Sequence, residues 1–550
     1  MTQVVGYPAG NGLLSGTTQS QRPAPLGENR LPVPEATSLT SSQVAWAQSS
    51  AAGGLPSGKL AVLGTSIENL TLDSTNTQAQ ADGALNAANY ILGAPWSVVD
   101  DYGVSSDTSG PSTTAQANPG FTSRVASILA GGYGWCYVGF PINDVSNSSQ
   151  YGLDPDTFTI ANMRSIYTQL LAAGIRVIAS TGTPYSSLNA STAGGQAGRI
   201  AYGKIQNFIR SFVASNSSMC LAAEAMALTD PATGVAIASP AVTKDGLHPN
   251  YEGAMRKALA IVDAVQSSIR PQDTSVEALY DPRQYAPNPF MQGDNASGSG
   301  GAINGAGVNF TGTIPNACGI TKRATGTAVG SRATARSGSG TAYWKQPAAG
   351  FRLAVSATSS FDGVGVLFGG DATNGISRYD QNWVATTAFS YGKRVNPTIA
   401  SGLIHTLVTP GTTGGTEPTW ATTEGGFTTD GTVVWMAQTK PTAGMQFYAQ
   451  AEIETSGLTA GKGALPRLQL STIDTTGAIK ESVYANWVDL SNGSGTPPRY
   501  LPPKMRLRTP ILTMGAGYSL RYLSGELYLY GEAGASANMD VFRCDIVRVY

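Results

Sequence analysis

Lys59-Leu-Ala-Val-Leu-Gly-Thr-Ser66 is a short apolar run that breaks into a loop at a glycine and delivers a serine. An apolar run of about four to eight residues without alternation suits a strand buried on both faces, as in a parallel sheet. Two later runs repeat the design: Trp96-Ser-Val-Val99 ends at Asp100-Asp-Tyr-Gly103, and Trp135-Cys-Tyr-Val-Gly-Phe140 ends at Pro141-Ile-Asn143-Asp144. Between Thr157 and Ala173, Ile160, Met163, Ile166 and Leu170 recur at helical spacing, and Gly174 closes the pattern as a C-cap. Ile175-Arg-Val-Ile-Ala-Ser180 then reads as a fourth strand. A second amphipathic helix (Ile205, Phe208, Ile209, Phe212) leads to a fifth strand over Met219 to Met226. Strands alternating with helices predict an α/β domain, a parallel sheet covered on both faces. Such sheets place their chemistry beyond the carboxyl ends of the strands. Ser66, Gly103 and Asn143 all fall on that rim.

A second stretch, Val242-Thr-Lys-Asp-Gly-Leu-His-Pro-Asn-Tyr-Glu-Gly253, holds His248, one of two histidines in the chain, with Asp245 three residues before it. Ala254, Ala258, Ile261, Val262, Val265 and Ile269 behind it are spaced as one face of a helix. A carboxylate and an imidazole together at the mouth of a helix suit a general base and its orienter. The bland alternative for His248 is a neighbour of the helix cap in a surface loop. The other histidine, His405, lies in Gly-Leu-Ile-His-Thr-Leu and reads as a packed strand residue.

Together these blocks resemble the SGNH (GDSL-like) hydrolases over about residues 58 to 270. The family's Gly-Asp-Ser appears as Gly64-Thr65-Ser66, and its second-strand glycine matches Gly103. Its Gly-x-Asn-Asp matches Pro141-Ile142-Asn143-Asp144, and its Asp-x-x-His is complete as Asp245-Gly-Leu-His248. Thr65 replaces the family's aspartate without removing a triad member, while Pro141 for glycine alters the loop that presents Asn143. The resemblance implies a three-layer α/β/α domain in which Ser66 is the nucleophile, His248 the base and Asp245 its orienter. It also implies an oxyanion hole made by the Ser66 and Gly103 amides and the Asn143 side chain. No metal or other cofactor is expected, because no Cys, His and carboxylate cluster has ligand spacing. Asp100, Asp101 and Asp144 could instead be read as the carboxylate pair of a glycoside hydrolase. They stand where the family has backbone donors and structural aspartates, which disfavours that reading.

The chain of 550 residues exceeds a single core, so two or three domains are expected. Thirty-four basic against 35 acidic side chains give a formal charge of −1, which argues against a nucleic-acid partner. Only 13% of residues are charged and 66 are glycine, a composition of β-rich, turn-rich extracellular or virion proteins. Cys136, Cys220, Cys318 and Cys544 are scattered and are read as free thiols. No apolar run approaches the roughly 18 residues of a membrane span. The opening MTQVVGYPAGNGLL lacks a basic region followed by an apolar core, so no secretory signal is expected. Residues 1–57, rich in Pro, Ser, Thr, Gly and Gln, read either as a flexible leader or as a segment that orders on a partner.

Past Arg270-Pro271 the texture changes. Residues 273–550 alternate in short runs such as Val364-Gly-Val-Leu-Phe and Val541-Phe-Arg-Cys-Asp-Ile-Val, punctuated by Gly and Thr, which predicts an antiparallel β-sandwich. Residues about 372–440 look inserted, built on Gly411-Thr-Thr-Gly-Gly-Thr-Glu-Pro-Thr-Trp420 and Thr429-Asp-Gly-Thr-Val-Val-Trp435. That element resembles a small module of phage tail fibres, and Asn288-Pro-Phe-Met-Gln-Gly293 resembles the entry to jelly-roll, carbohydrate-binding domains that follow hydrolases in phage tail proteins. Trp344, Trp383, Trp420, Trp435 and Trp487 could stack on sugars, although core is the commoner fate of a tryptophan. The expectation is a tailspike or tail-fibre protein of a virion tail, a homotrimer by analogy, bound to phage tail proteins and to a bacterial surface polysaccharide that it de-O-acetylates. The rivals are a receptor-binding adhesin without activity, a secreted esterase and a depolymerase.

Overall fold

A computed structural model describes residues 4–9, 12–18, 58–72, 83–111, 119–145, 153–189, 193–233, 235–269, 281–286, 288–289, 291, 295–296, 309–315, 318–323, 327–332, 350–359, 362–369, 380–389, 393–474, 478–485, 497–516 and 520–549. The chain divides into two compact units, Met1–Gln272 and Asp273–Tyr550. Of residues 1–57 the described part is an antiparallel hairpin of Val4–Ala9 with Gly12–Thr18.

The first unit is built on five strands, β1 (Lys59–Gly64), β2 (Val98–Gly103), β3 (Trp135–Val138), β4 (Arg176–Ser180) and β5 (Met219–Ala222). They lie in the spatial order β2-β1-β3-β4-β5, and every neighbouring pair is parallel. The helices are α1 (Ser66–Leu72), α2 (Ala84–Ile91), α3 (Thr122–Ala130), α4 (Ala161–Ala172), α5 (Ala193–Ala214), α6 (Glu224–Leu228) and α7 (Tyr251–Val265).

The continuous apolar run of β1 is explained by burial on both faces, since Leu60, Ala61, Val62 and Leu63 are all wholly buried. Ala61 and Leu63 join Cys136, Val138, Val177 and Ala179 of the neighbouring strands in one core cluster. Val125 of α3, Ile166 and Leu170 of α4, and Ile205 and Ile209 of α5 close that cluster. Leu60 and Val62 point the other way along the pleat, and α7 packs on α2, β4 and β5. The α/β reading of residues 58–270 therefore holds.

Two local readings change. The fifth strand stops at Ala222, and Glu224–Leu228 turns into α6 as the Glu224 carboxylate is drawn inward to the hydroxyls of Tyr137 and Ser180, each 2.7 Å away. The chain after β1 is also not a loop, because α1 starts at Ser66 itself. Thr65 caps it, its Oγ1 accepting from the Ile67 N–H at 3.3 Å, and the Glu68 carboxylate reaches back to the Thr65 N–H at 2.8 Å. This is the reciprocal arrangement of a Thr-x-x-Glu capping box.

The second unit is β-rich and mainly antiparallel, as its alternation predicts. One sheet runs Cys318–Arg323, Asp362–Gly369, Leu520–Gly531, Ala464–Asp474, Ile479–Ala485, antiparallel throughout. A larger one centres on Gln446–Ser456, Ser536–Val549 and Phe351–Ser356, and turns parallel only where Thr327–Arg332 meets Asn309–Ile314. A third is drawn from residues 380–439 alone, around a core of Phe389, Val395, Leu407, Val433 and Trp435. All four cysteines are free. No helix among the described residues is long and apolar enough to cross a membrane.

Candidate active site

The strand order β2-β1-β3 makes β1 and β3 diverge in their connections, and open α/β sheets form a crevice at such a switch point. Ser66 follows β1 and Asn143 follows β3, so the two flank it. Ser66 is the first residue of α1, where a backbone N–H has no acceptor within the helix. Among the described residues nothing else accepts it.

Residues 242–250 bring the imidazole to that serine. The Asn250 N–H meets the Val242 carbonyl at 3.0 Å, and the Lys244 N–H meets the His248 carbonyl at 3.0 Å, closing the loop on itself. Asn250 then caps α7, its side chain accepting from the Gly253 N–H at 3.0 Å. Gly246 occupies the left-handed region (φ 85°), and a Cβ there would fall 2.3 Å from the Ser186 hydroxyl. Only glycine fits between Asp245 and His248 at that point. The Ser186 N–H donates to the Gly246 carbonyl at 2.9 Å, so the segment after β4 braces the loop.

His248 Nε2 lies 2.9 Å from Ser66 Oγ, and His248 Nδ1 lies 2.6 Å from Asp245 Oδ2. The other Asp245 oxygen accepts the backbone N–H groups of His248 (2.8 Å) and Leu247 (3.0 Å). Partial burial alone would raise the Asp245 carboxyl, but the bonds from the His248 ring and from the two amides outweigh it and hold the group below its ordinary value. A charged Asp245 on Nδ1 fixes the tautomer that leaves Nε2 free to accept the Ser66 proton. Serine, histidine and aspartate thus stand in relay, drawn from two places on the chain.

Asn143 sits in the helical turn 142–145, with Ile142 and Val145 buried on either side of it. Pro141 precedes the turn, a position where its fixed φ is at home. Asp144 locks the turn in place by accepting the Ser109 N–H (3.0 Å), the Ser109 hydroxyl (2.5 Å) and the Thr159 hydroxyl (2.8 Å). Burial pushes the Asp144 carboxyl up to about 6. Asn143 donates one of its two amide hydrogens to the Asp107 carbonyl at 2.8 Å. Asp107 is itself buried and paired with Arg124.

Gly103 ends β2 opposite Gly64. Its N–H, however, donates to the Asp101 carboxylate at 2.6 Å, and its carbonyl accepts from Asn69 of α1 at 3.0 Å. As it stands, the Gly103 amide is committed within its own strand end. Sequence reasoning passed over the turn that follows, where the Asp107 N–H meets the Val104 carbonyl at 3.2 Å. Ser106 in that turn is exposed and left-handed (φ 65°), a strained conformation of the kind that gathers at functional sites. The signal was the unread Ser-Ser-Asp-Thr-Ser run after Val104.

Asp100 accepts the Tyr133 hydroxyl and Asp101 the Gly103 amide. With Asp144 buried, the three aspartates are structural in their contacts. His405 is wholly buried against Trp420, ring centroids 4.3 Å apart, as expected of a strand histidine. Trp435 is core, and the indole N–H groups of Trp383 and Trp420 are held by Asp430 and Glu417. Trp344 and Trp487 lie outside the described residues. Among the described residues no three His, Cys, Asp or Glu side chains gather closely enough to hold a metal ion.

No family model matches the chain, and no curated protein does. Solved structures similar to it include a GDSL-like lipase from Bacteroides thetaiotaomicron (18% identity, 41% of this chain and 97% of that one, TM-score 0.29). An acetylxylan esterase from Geobacillus stearothermophilus, solved as a catalytic mutant, matches at 16% identity over 38% of this chain and 95% of that one, TM-score 0.29. A protein named as a putative acylhydrolase from Bacteroides fragilis matches at 18% identity over 40% and 95%, TM-score 0.29. Solved structures similar to this chain are thus GDSL-like lipases, acylhydrolases and acetylxylan esterases, while the Ser66–His248–Asp245 relay stands on this chain's own geometry.

Proposed function

We propose that the protein is a carboxylic ester hydrolase that removes O-acetyl groups from a bacterial surface polysaccharide. The observation that carries this reading is the continuous relay from Ser66 Oγ through His248 to Asp245. Ser66 Oγ attacks the ester carbonyl as His248 Nε2 takes its proton, and the same nitrogen returns that proton to the leaving sugar hydroxyl. Water, activated by His248, then cleaves the acyl-serine and releases acetate. The oxyanion is held by the Ser66 N–H and the Asn143 amide. One such donor is worth about 3 kcal/mol in the transition state.

The wider setting belongs to the same proposal. The protein acts as a tailspike or tail fibre on a virion, as a homotrimer joined to tail proteins, and the second unit serves as a jelly-roll domain that grips the glycan. The low charge, the turn-rich second half and the Gly411–Trp435 element support this setting. Acetate release from an O-acetylated bacterial polysaccharide, compared between wild type and Ser66→Ala, tests the activity. Acetate from wild type alone, with a mass loss of about 42 Da per site on the glycan, is the expected result. Equal release by both proteins sinks the esterase and leaves an adhesin, and oligosaccharide products point to a depolymerase. Finding the chain in purified virions tests the setting separately.

A further inference from the structure

We propose that Glu68 and Lys257 are positioning residues that set the approach of Ser66 to His248. The proposal rests on the hydrolase reading and concerns how that site is held together. Ser66 and His248 are separated by 182 residues of chain. Thr65, the residue before the nucleophile, is gripped by Glu68 Oε2, which accepts its N–H at 2.8 Å and its hydroxyl at 3.1 Å. The other Glu68 oxygen lies 3.8 Å from Lys257 Nζ. Lys257 stands in the second turn of α7, the helix that the His248 loop opens. The pair therefore ties the nucleophile turn to the histidine helix across the sheet core.

Lys257 is shared. Its Nζ lies 3.5 Å from Glu224, whose oxygens also accept from Tyr137 on β3 and Ser180 on β4. All three charged side chains are at most 2% exposed. Two carboxylates around one ammonium are a poor way to stabilise a core, because desolvation offsets most of the attraction and apolar residues would serve as well. What the arrangement supplies is fixed geometry. A Cβ on Gly64 or on Gly139 would fall 2.3 Å from the Glu68 side chain. The carboxylate is thus wedged between the ends of β1 and β3 and has no other place to go. Burial, the largest influence, raises the Glu68 carboxyl above its ordinary value against the pull of Lys257.

The test uses the full chain, with Glu68→Gln, Lys257→Met, the double variant and Thr65→Val. Three quantities are read on each: kcat and KM for p-nitrophenyl acetate, the rate of Ser66 labelling by a fluorophosphonate, and the thermal midpoint. Misplacing a reacting group by about 1 Å costs on the order of a hundredfold. Each of Glu68→Gln and Lys257→Met is therefore expected to lower kcat at least tenfold, with KM nearly unchanged and labelling slowed in step. The double variant should lose no more than the worse single one, since both act through one link. Folded Glu68→Gln and Lys257→Met proteins that keep wild-type kcat and labelling overturn the proposal, whatever their thermal midpoints. If Glu68→Gln does not fold, Thr65→Val carries the test, and an unchanged kcat there has the same meaning. A wild type that neither hydrolyses the ester nor labels at Ser66 instead sinks the hydrolase reading, and this proposal with it.

Discussion

The chain's two histidines show what placement does to one side chain. His248 lies in the loop 242–250 beyond the carboxyl end of the sheet, a fifth exposed, with Ser66 on one ring nitrogen and Asp245 on the other. His405 lies within the strand Leu403–Thr409, wholly buried, and among the described residues neither of its ring nitrogens has a hydrogen-bond partner. Burial alone drives it down to about 4, so its ring is neutral at ordinary pH. A strand end lets an imidazole exchange protons with a substrate, whereas a strand interior reduces it to an aromatic plate against Trp420. Scarcity of histidine in the sequence says nothing about which is which.

The comparison breaks most readily at the relay itself. Ser66→Ala and His248→Ala should each lower p-nitrophenyl acetate turnover by about four orders of magnitude or more, whereas His405→Phe should leave kcat within about twofold of wild type. A large loss in His405→Phe would place the active centre in the wrong unit. Next comes Asp245→Asn, which keeps the shape but lets Nδ1 accept instead of donate. A drop of about 10³ to 10⁴ in kcat is expected, and a mild effect would mean the loop holds the tautomer without the charge. Asn143→Ala should cost roughly 10² to 10³ in kcat with little change in KM.

The smallest effect concerns pH. The fold accepts His405 only as the neutral ring, so its contribution to stability is complete above its ordinary value of 6.5 and is lost as the pH falls toward about 4. Thermal midpoints from pH 7 down to pH 4 should therefore fall less steeply in His405→Phe than in wild type. Parallel slopes would mean that the buried ring does not resist protonation.

Much of the α/β unit could be read from the chain because its strands are buried on both faces and so carry unbroken apolar runs. The four runs that begin at Lys59, Trp96, Trp135 and Ile175 each became a strand or led into one. The serine, histidine and aspartate were legible because each stands where an element begins or ends, and such boundaries leave glycine, proline and cap residues behind. The orientation of the Gly103 amide was not, since a backbone amide has no letter of its own. Whether the Gly103 N–H faces the crevice depends on the Asp101 rotamer, which periodicity does not encode. Glu68 was missed for a different reason. Thr65-Ser-Ile-Glu68 is a legible capping box, but reading Gly64 to Ile67 as a loop beyond the strand hid the start of a helix. In the second unit alternation located strands such as Asp362–Gly369 and Ser536–Val549, while their partners lie far off in sequence and no local pattern names them.

The spacing of the relay has a consequence for synthesis. Ser66 leaves the ribosome 182 residues ahead of His248, with β2 through β5 emerging in between. Contacts this remote form only after the intervening sheet has closed. On the proposed reading, a nascent chain therefore carries a serine not yet joined to its imidazole, and the relay is complete only once the sheet is.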